Sequence, residues 1–178
     1  MKRSLAFLAA AVLAGRVGAA AEIKIGLVAE LTGDMPAVGA SCKQAALMAV
    51  EEVNRAGGLK VGGVDYAIDL QIEDNAAKAD QSALAAQKLI AQDRVLAIIG
   101  PNASLGAVPA SAIAESGRTV MITPWSTNPK TTQDARKRRP KRYVFRACYT
   151  DAFEGRVLAL FVLKQLNLTR AAALYDVA

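Results

Sequence analysis

The sequence predicts an α/β fold built on a doubly wound, mostly parallel sheet. Apolar runs of strand length alternate along the chain with segments of helical periodicity, which is the pattern of repeated βαβ units. The clearest unit spans residues 95–127, where an apolar strand, a glycine-containing loop, a helix and a second apolar strand follow one another. The composition agrees with this class, because 53% of the 178 residues are hydrophobic and only 5% are aromatic.

The first 21 residues are interpreted as a secretory signal peptide. Lys2 and Arg3 form a positive start, residues 5–14 an apolar stretch, and three alanines at residues 19–21 a cleavage site. Cleavage is expected after Ala21, with the two preceding alanines as alternatives. A frayed N-terminal helix is the competing interpretation. Because no cysteine stands at the cleavage point, we expect periplasmic export without a lipid anchor.

The predicted elements of the mature chain follow from apolar alternation for strands, 3.6-residue periodicity for helices and glycine or proline at their ends. The predicted strands are residues 23–29, 59–61, 64–73, 95–99, 119–123, 143–146 and 171–175. The predicted helices are residues 39–55, 80–92, a third that opens near Ser104, and residues 151–166.

Local residues justify the ends of these elements. Gly57-Gly58 closes the first helix, and Gly62-Gly63 predicts a tight hairpin turn. Asp80 is expected to cap the second helix, which should bury Leu84, and Thr150 or Asp151 is expected to cap the last one. The final apolar strand has no helix after it, although parallel sheets are covered on both faces. We therefore expect a fragment or a truncated gene product that exposes apolar surface.

The central unit predicts a ligand site. Ligands of open parallel sheets bind outside the carboxyl ends of the strands, and both strands of this unit end at one crevice. Gly100 and Gly106 let the backbone approach closely, and Ser104 stands where a helix can begin. The free N–H groups of the loop and the helix end favour an anion such as a carboxylate. Pro109 requires that the helix either starts near Val108 or is kinked.

Charge and composition exclude several functions. Of the net charge of +6, Lys2, Arg3 and Arg16 carry three units, which leaves +3 for the mature chain. The basic run at residues 136–142 is broken by proline and has no interleaved aromatics, so it is interpreted as a solvated loop rather than a nucleic-acid or membrane contact. No later stretch reaches the roughly 18 apolar residues of a membrane span, so no stable membrane insertion is predicted.

Catalytic signatures are missing from the sequence. The chain has no histidine, which excludes histidine-dependent catalysis and zinc sites within it. Neither a G-x-G-x-x-G motif after the first strand nor a P-loop lysine motif occurs. We therefore predict no enzyme, no cofactor and no metal. Cys42 and Cys148 match no metal-ligand spacing, and whether they pair is left open.

Several stretches together carry a resemblance to a known family. They are residues 23–26 with 31–33, 49–54 with 57–58, 73–74, 98–101, 121–124, and 145–146 with 151 and 155. They resemble periplasmic substrate-binding proteins of the leucine/isoleucine/valine type, and the resemblance covers nearly all of residues 22–178. It implies a Rossmann-like lobe of a two-lobed periplasmic binding protein. Residues 22–142 would form part of the first lobe, and residues 143–178 the crossover and the start of the second.

The resemblance implies the extracytoplasmic solute-binding component of an ABC transporter. Such a component captures a branched-chain amino acid or a related small amide or carboxylate by lobe closure and delivers it to the permease. The alternatives are a ligand-binding sensor or receptor ectodomain of the same fold and a truncated, non-functional copy.

The resemblance also implies the site residues. By position, Ser104 corresponds to the hydroxyl that holds the ligand carboxylate, and Thr127 to the one that holds the amino-acid backbone. The Trp125 backbone corresponds to the carbonyl offered to an ammonium group. The neighbouring ligand-binding candidates are Ala103, Ser126 and Tyr149. Tyr149 falls where the second lobe begins to cover the site, and the alternative for it is a place in the core. The alternative is that Ser104 and Thr127 are ordinary cap and turn residues.

Two departures from the family bear on specificity. Val38 stands where many amino-acid binders have a tyrosine, and Trp125 replaces a small residue. A tryptophan wall could narrow the pocket or stack on a flat ligand. Amino acid, amide and aromatic acid therefore all stay open as ligands.

Overall fold

The computed structural model describes residues 21–134, 136–172 and 174. Apart from Ala21, the predicted signal peptide lies outside these residues. The strands are Ala21–Ala29 (β1), Leu59–Val61 (β2), Val64–Asp74 (β3), Ala97–Ile99 (β4), Val120–Thr123 (β5), Gln133–Asp134 (β6), Arg139–Pro140 (β7) and Val144–Arg146 (β8). The helices are Pro36–Arg55 (α1), Ala79–Lys88 (α2), Ser104–Gly117 (α3) and Asp151–Lys164 (α4). A π-helical turn, Leu89–Asp93, extends α2, and Pro129–Thr131 forms a 3₁₀ turn.

The main sheet has six strands in the order β2-β3-β1-β4-β5-β8. Every neighbouring pair is parallel except the β2–β3 hairpin, which confirms the predicted fold class. The chain first adds strands on one side of β1 and then crosses to the other side. This reversal makes the β1–β4 boundary the topological switch point of the sheet.

The larger core lies between the sheet and the helices α2 and α3. Ile98, Met121 and Val144 lie in a row across β4, β5 and β8, and Val28 lies on the same face of β1, two residues beyond the partner of Ile98. Alanines face them from both helices, and small side chains allow close packing of helix on sheet. The helical members of this buried cluster are Ala85, Ala86, Leu89, Ala107, Ala110 and Ala114.

Helix α1 covers the opposite face, mainly over β1 and β3. Leu27, Ala29 and Ala46 form the buried cluster there. Further along the same face, Ile122 is 43% exposed and Phe145 is 50% exposed. None of the residues of α4 is buried either. The expected exposure of apolar surface is therefore confirmed for the described residues, because parallel strands normally carry cover on both faces.

Helix starts differ from the predictions for α1 and α2, and the structure decides between the two alternatives for α3. Helix α1 begins at Pro36, where proline suits the first helical turn. Lys78 is the cap residue of α2, so the prediction that Asp80 caps this helix is wrong, and Asp80 lies in its first turn. Helix α3 begins at Ser104, and Pro109 lies within it. The first helical hydrogen bonds run from the N–H groups of Gly106 and Ala107 to the Ala103 carbonyl. A start near Val108 is thus excluded.

Two further expectations concern burial and the chain end. Leu84 was expected in the core but is 56% exposed, because α2 turns its alanines to the sheet. Thr150 caps α4 as predicted and accepts the N–H of Phe153. Of the strand predicted at residues 171–175, the described residues 171, 172 and 174 have no strand conformation, and the other two lie outside the described residues.

The basic run does not form a simple loop. Strands β6 and β7 pair into a small hairpin whose turn, at residues 136–138, is exposed as expected for solvated charges. Lys141 instead turns inward. Its Nζ donates to Ser111 Oγ at 2.6 Å and to the carbonyls of Lys130 and Thr131 at 3.0 and 3.1 Å. Burial lowers the pKa of Lys141 despite the opposing charges of Glu115 and Asp134.

Glu115, near the end of α3, fastens the segment that enters β8. Its Oε2 accepts the backbone N–H groups of Arg142 and Tyr143, each at 2.9 Å. Burial alone would raise the pKa of Glu115, but these hydrogen bonds and the charges of Arg139 and Lys141 outweigh it and lower the pKa overall. Among the described residues, no helix is both long and apolar enough to cross a membrane.

Candidate ligand-binding site

The loops that follow the parallel strands meet at the carboxyl edge of the sheet. The loop after β4 leads directly into α3, and the loop after β5 lies beside it. Thr123, the last residue of β5, joins the two loops. Its hydroxyl donates to the Pro101 carbonyl at 2.6 Å and accepts the Ser126 N–H at 3.1 Å. Sequence analysis missed this role, because a threonine at the end of a strand gives no signal of its long-range partner.

Ser104 and the loop at residues 125–128 are in direct contact. Ser104 Oγ lies 3.0 Å from Ser126 Oγ and accepts the N–H of Asn128 at 3.3 Å. Ser126 is fully buried, and its hydroxyl also lies 2.7 Å from Thr131 Oγ1. The structure thus brings Ser104 and Ser126 together, with Ser126 as an internal tie. Direct ligand contact by Ser126 stays a prediction.

The other predicted site residues border this pair. Thr127 is half-buried, and its carbonyl accepts the N–H of Asp151 at 3.2 Å, which links the loop to the start of α4. Trp125 is 51% exposed and Tyr149 is 52% exposed, so both side chains are open to solvent. Ala103 is half-buried directly before α3. The ligand-binding roles of these residues stay predictions.

Arg146 holds the loop after β5 in place through hydrogen bonds from its guanidinium group. Its Nη1 donates to the Ser126 carbonyl at 2.7 Å, and its Nη2 donates to the Asn128 carbonyl at 3.0 Å and to Thr132 Oγ1 at 2.7 Å. A planar guanidinium with several donors suits such a multiple clamp. Because these donors are engaged within the protein, Arg146 supports the loop rather than offering a free cation to a ligand.

The hydrogen bonds of Glu30 contradict one expectation about the loop after β4. This carboxylate is fully buried at the end of β1. It accepts the backbone N–H groups of Asn102 and Ala103 at 3.1 and 3.2 Å, together with Asn102 Nδ2 at 2.7 Å. These N–H groups are therefore not free for an anion, contrary to the prediction. The Gly106 and Ala107 N–H groups donate to the Ala103 carbonyl. The anion-attracting groups that remain in the first turn of α3 are the N–H groups of Ser104 and Leu105, which helix geometry leaves without intrahelical acceptors.

The two glycines of the central unit lie in close contact with neighbouring parts of the lobe. A Cβ on Gly100 would collide with the carbonyl group of Val28, and Gly100 also adopts a φ of +85°. A Cβ on Gly106 would collide with Ser82 Oγ and lie 3.1 Å from Asn75 Nδ2. The predicted close approach of the backbone is confirmed, and its partners are β1 and α2.

Asp74 fixes the first loop at the same edge. Its Oδ1 accepts the N–H groups of Leu31 and Thr32 at 3.0 and 3.2 Å, and its Oδ2 accepts the Thr32 hydroxyl at 2.6 Å. Burial acts to raise the pKa of Asp74, but the hydrogen bonds from Thr32, Ala76 and Leu31 hold it below its ordinary value of 3.8.

A groove of about 630 Å³ runs from this edge along α1. Its walls are mostly apolar and are formed by residues 37, 38, 41, 42, 45, 46, 99, 102, 124 and 125. Val38 and Trp125, the two family departures, thus line one space. Cys42 also lines it, and burial raises the pKa of its thiol. Cys42 and Cys148 are both free thiols in the structure. A second depression of about 640 Å³ lies at the amino edge, around Lys24 and Arg94, away from the strand ends where ligands bind.

These features define a lobe of an α/β ligand-binding protein whose candidate site lies at the topological switch point. Residues 22–178 match the family described as periplasmic binding protein. The chain belongs to this family, as the sequence resemblance predicted.

Two relatives and one solved structure illustrate the similarity. The Leu/Ile/Val-binding protein homolog 3 of Brucella melitensis is 33% identical over 173 residues, which cover 97% of this chain and 44% of the relative. The Leu/Ile/Val-binding protein BraC3 of Rhizobium johnstonii is 33% identical over 156 residues, with 88% and 40% covered. The substrate-binding protein LivJ of a branched-chain amino acid transporter from Streptococcus pneumoniae, in complex with isoleucine, superposes with a TM-score of 0.71 at 29% identity. That match covers 82% of this chain and 39% of LivJ, so the chain spans less than half the length of these proteins.

Proposed function

We propose that the chain carries part of the ligand site of a periplasmic solute-binding component of an ABC transporter. It captures a branched-chain amino acid, or a related small carboxylate or amide, and delivers it to a permease. The observation that carries the proposal is the juxtaposition of Ser104, at the start of α3, with the loop that contains Thr127. Ser104 follows β4, which borders the switch point, and Thr127 follows the neighbouring strand β5. Both lie at the carboxyl edge of the sheet, where ligands of this fold class bind.

The chemistry of the site fits an anionic group. Ser104 accepts a hydrogen bond from Asn128. In the Ser104–Ser126 hydroxyl pair either oxygen can be the donor, and when Ser126 donates, the Ser104 proton is available to a ligand oxygen. The N–H groups of the first turn of α3 and the positive end of its dipole add to this attraction. In the proposal Thr127 contributes a second hydroxyl, the Trp125 carbonyl accepts from an ammonium group, and Ala103 and Ser126 shape the floor.

The lobes are part of the same proposal. Because β8 pairs with β5 in the main sheet, residues 144–146 extend the first lobe beyond residue 142. The crossover then begins after Arg146, and Tyr149 stands where a second lobe would cover the ligand. Closure of two lobes over the ligand would provide the signal to the permease.

The names of the relatives support the ligand class. Two relatives are Leu/Ile/Val-binding proteins, and the similar LivJ structure holds isoleucine. The apolar groove beside the site, with Val38 and Trp125 in its walls, suits an apolar side chain.

Calorimetric titration of the whole chain tests the proposal. The ligands are L-leucine, L-isoleucine, L-valine, L-leucinamide and benzoate, and we expect saturable binding of at least one. Ser104→Ala should weaken that binding about tenfold, the loss expected for one hydrogen bond to a charged group. Ser116→Ala is the matched control, because this hydroxyl lies at the other end of α3 and donates to the Ile113 carbonyl at 2.9 Å. Absence of binding by all five compounds, or equal effects of the two variants, would contradict the proposal.

A further inference from the structure

Glu30 occupies an unusual position beneath the proposed site. Its side chain is 0% exposed, yet its hydrogen-bonding partners among the described residues are all N–H donors of amides rather than cationic side chains. Oε1 accepts the N–H groups of Asn102 and Ala103, and Asn75 Nδ2 approaches it at 3.5 Å. Oε2 accepts Asn102 Nδ2 at 2.7 Å. Two backbone N–H groups and one side-chain amide of the same loop thus lie within 3.2 Å of this one buried side chain.

The donors belong to the short loop that precedes α3. This loop is fastened at three places along its length. The Gly100 N–H donates to the Ile122 carbonyl at 2.9 Å, and the Pro101 carbonyl accepts from Thr123. Glu30 alone, among these fastenings, holds the last two residues before Ser104.

The contact therefore sets the geometry of the helix start. Ala103 is the cap residue of α3, and its carbonyl accepts the N–H groups of Gly106 and Ala107. Movement of the Ala103 peptide plane would tilt the first turn and, with it, the Ser104 hydroxyl. Asn102, held through both its backbone and its side chain, also lines the groove beside Trp125.

We infer that Glu30 is a positioning residue that fixes the loop before α3 and thereby the direction of Ser104. The inference rests on the proposed function in so far as Ser104 contacts the ligand. It implies that a ligand carboxylate draws on the Ser104 hydroxyl and the first turn of α3, while the N–H groups of Asn102 and Ala103 serve Glu30.

Three variants of the full chain test this role. Glu30→Ala removes both acceptors. Glu30→Gln keeps an Oε1 that can accept both backbone N–H groups, so it is the conservative rescue. Ser82→Ala is the matched control, since it removes a buried hydroxyl that accepts from Asn75 at 2.9 Å and makes no hydrogen bond to the loop. If Glu30→Ala does not fold, Glu30→Asp, which is one methylene shorter, replaces it.

The first readout is amide hydrogen exchange at Asn102 and Ala103, followed by NMR. We expect Glu30→Ala to accelerate exchange at these two amides at least about tenfold, with Glu30→Gln and Ser82→Ala close to wild type. The second readout is calorimetric titration with L-leucine. Glu30→Ala should weaken binding about tenfold, whereas Glu30→Gln and Ser82→Ala should change it less than about threefold.

The outcomes separate this inference from the proposed function. Unchanged exchange in Glu30→Ala overturns the inference, as does a loss of leucine affinity no larger than that of Ser82→Ala. Faster exchange in Glu30→Ala that Glu30→Gln restores supports it. If the wild type shows that exchange pattern but binds no leucine, the assignment of Glu30 to the loop stands and leucine as the ligand fails.

Discussion

Replacement of Gly39 by alanine should destabilise the protein, although alanine has the higher intrinsic helix propensity. Gly39 lies buried in the first turns of α1, where the helix crosses the end of β1. A Cβ built there would lie 2.9 Å from the backbone nitrogen of Glu30 and nearer still to the Glu30 carbonyl group. Because these are backbone atoms of the residue directly after β1, they cannot move aside as a flexible side chain would. Helix α1 would have to move away from the sheet edge, and Val38 and Cys42 would move with it.

The magnitude follows from two opposing effects. Glycine to alanine in a helix interior gains about 1 kcal/mol, whereas overpacking against a rigid neighbour costs up to about 3 kcal/mol. The net expectation is a loss of about 2 kcal/mol in the free energy of unfolding. For a chain of this size that lowers Tm by roughly 4–8 °C. Circular dichroism at 222 nm during heating, with urea titration as a second measure, would detect it.

Gly155→Ala provides the matched control for this prediction. Gly155 lies within α4, and a Cβ there would meet nothing within 4 Å. The same substitution should therefore raise stability by up to about 1 kcal/mol. A Gly39→Ala variant as stable as Gly155→Ala, or more so, would refute the packing of α1 on the end of β1.

Two further predictions concern the segment that enters β8. Glu115→Gln should lose up to about 1 kcal/mol of stability at pH 7, because the wild-type carboxylate accepts two backbone N–H groups more strongly than an amide does. The pKa of Glu115 is lowered in the fold, so its contribution is present above the ordinary value of 4.5 and is lost as pH falls below it. Urea unfolding at several pH values should show the two proteins converging in acid, with exposed Glu52→Gln as the control; a constant difference would contradict the role of the charge. Lys141→Met should cost about 1–3 kcal/mol, because the Lys130 and Thr131 carbonyls lose their donor. Lys137→Met is the control, because it removes only the 3.7 Å ion pair between Lys137 and Asp134 and should leave the free energy of unfolding almost unchanged. Equal shifts in Tm for Lys141→Met and Lys137→Met would contradict the anchoring role of Lys141.

Local patterns predicted the secondary structure well, because the patterns reflect local physics. The glycine pair after β2 specifies a hairpin, and Thr150 caps α4 as any threonine before a helix can. Asp80 failed as a cap because several residues near a helix start are chemically able to cap it. Which of them becomes the N-cap depends on how the chain packs over the sheet, and in the structure the N-cap of α2 is Lys78.

The site itself could be predicted only in part. The prediction that a helix starts at Ser104 is confirmed. The βαβ pattern also predicted that Ser104 lies beside the loop after β5, and the structure has it in contact with Ser126 of that loop. The supports beneath it are Glu30, Thr123 and Arg146. Each of them contacts at least one partner 20 to 73 residues away along the chain. Such contacts depend on strand order and side-chain direction, which no local pattern encodes. For this reason the sequence predicted free N–H groups in the loop before α3, whereas in the structure the N–H groups of Asn102 and Ala103 donate to Glu30.

An NMR titration of the ¹⁵N-labelled full chain with L-leucine tests the central claim most directly. The account predicts saturable shifts for the amides of Ser104, Leu105 and Thr127 at the carboxyl edge. The hairpin amides of Gly62 and Gly63, which belong to the β2–β3 turn, should stay fixed. Shifts confined to the amino-edge depression around Lys24 and Arg94, or none at the three site amides at saturating leucine, would contradict a leucine site at the switch point of this sheet.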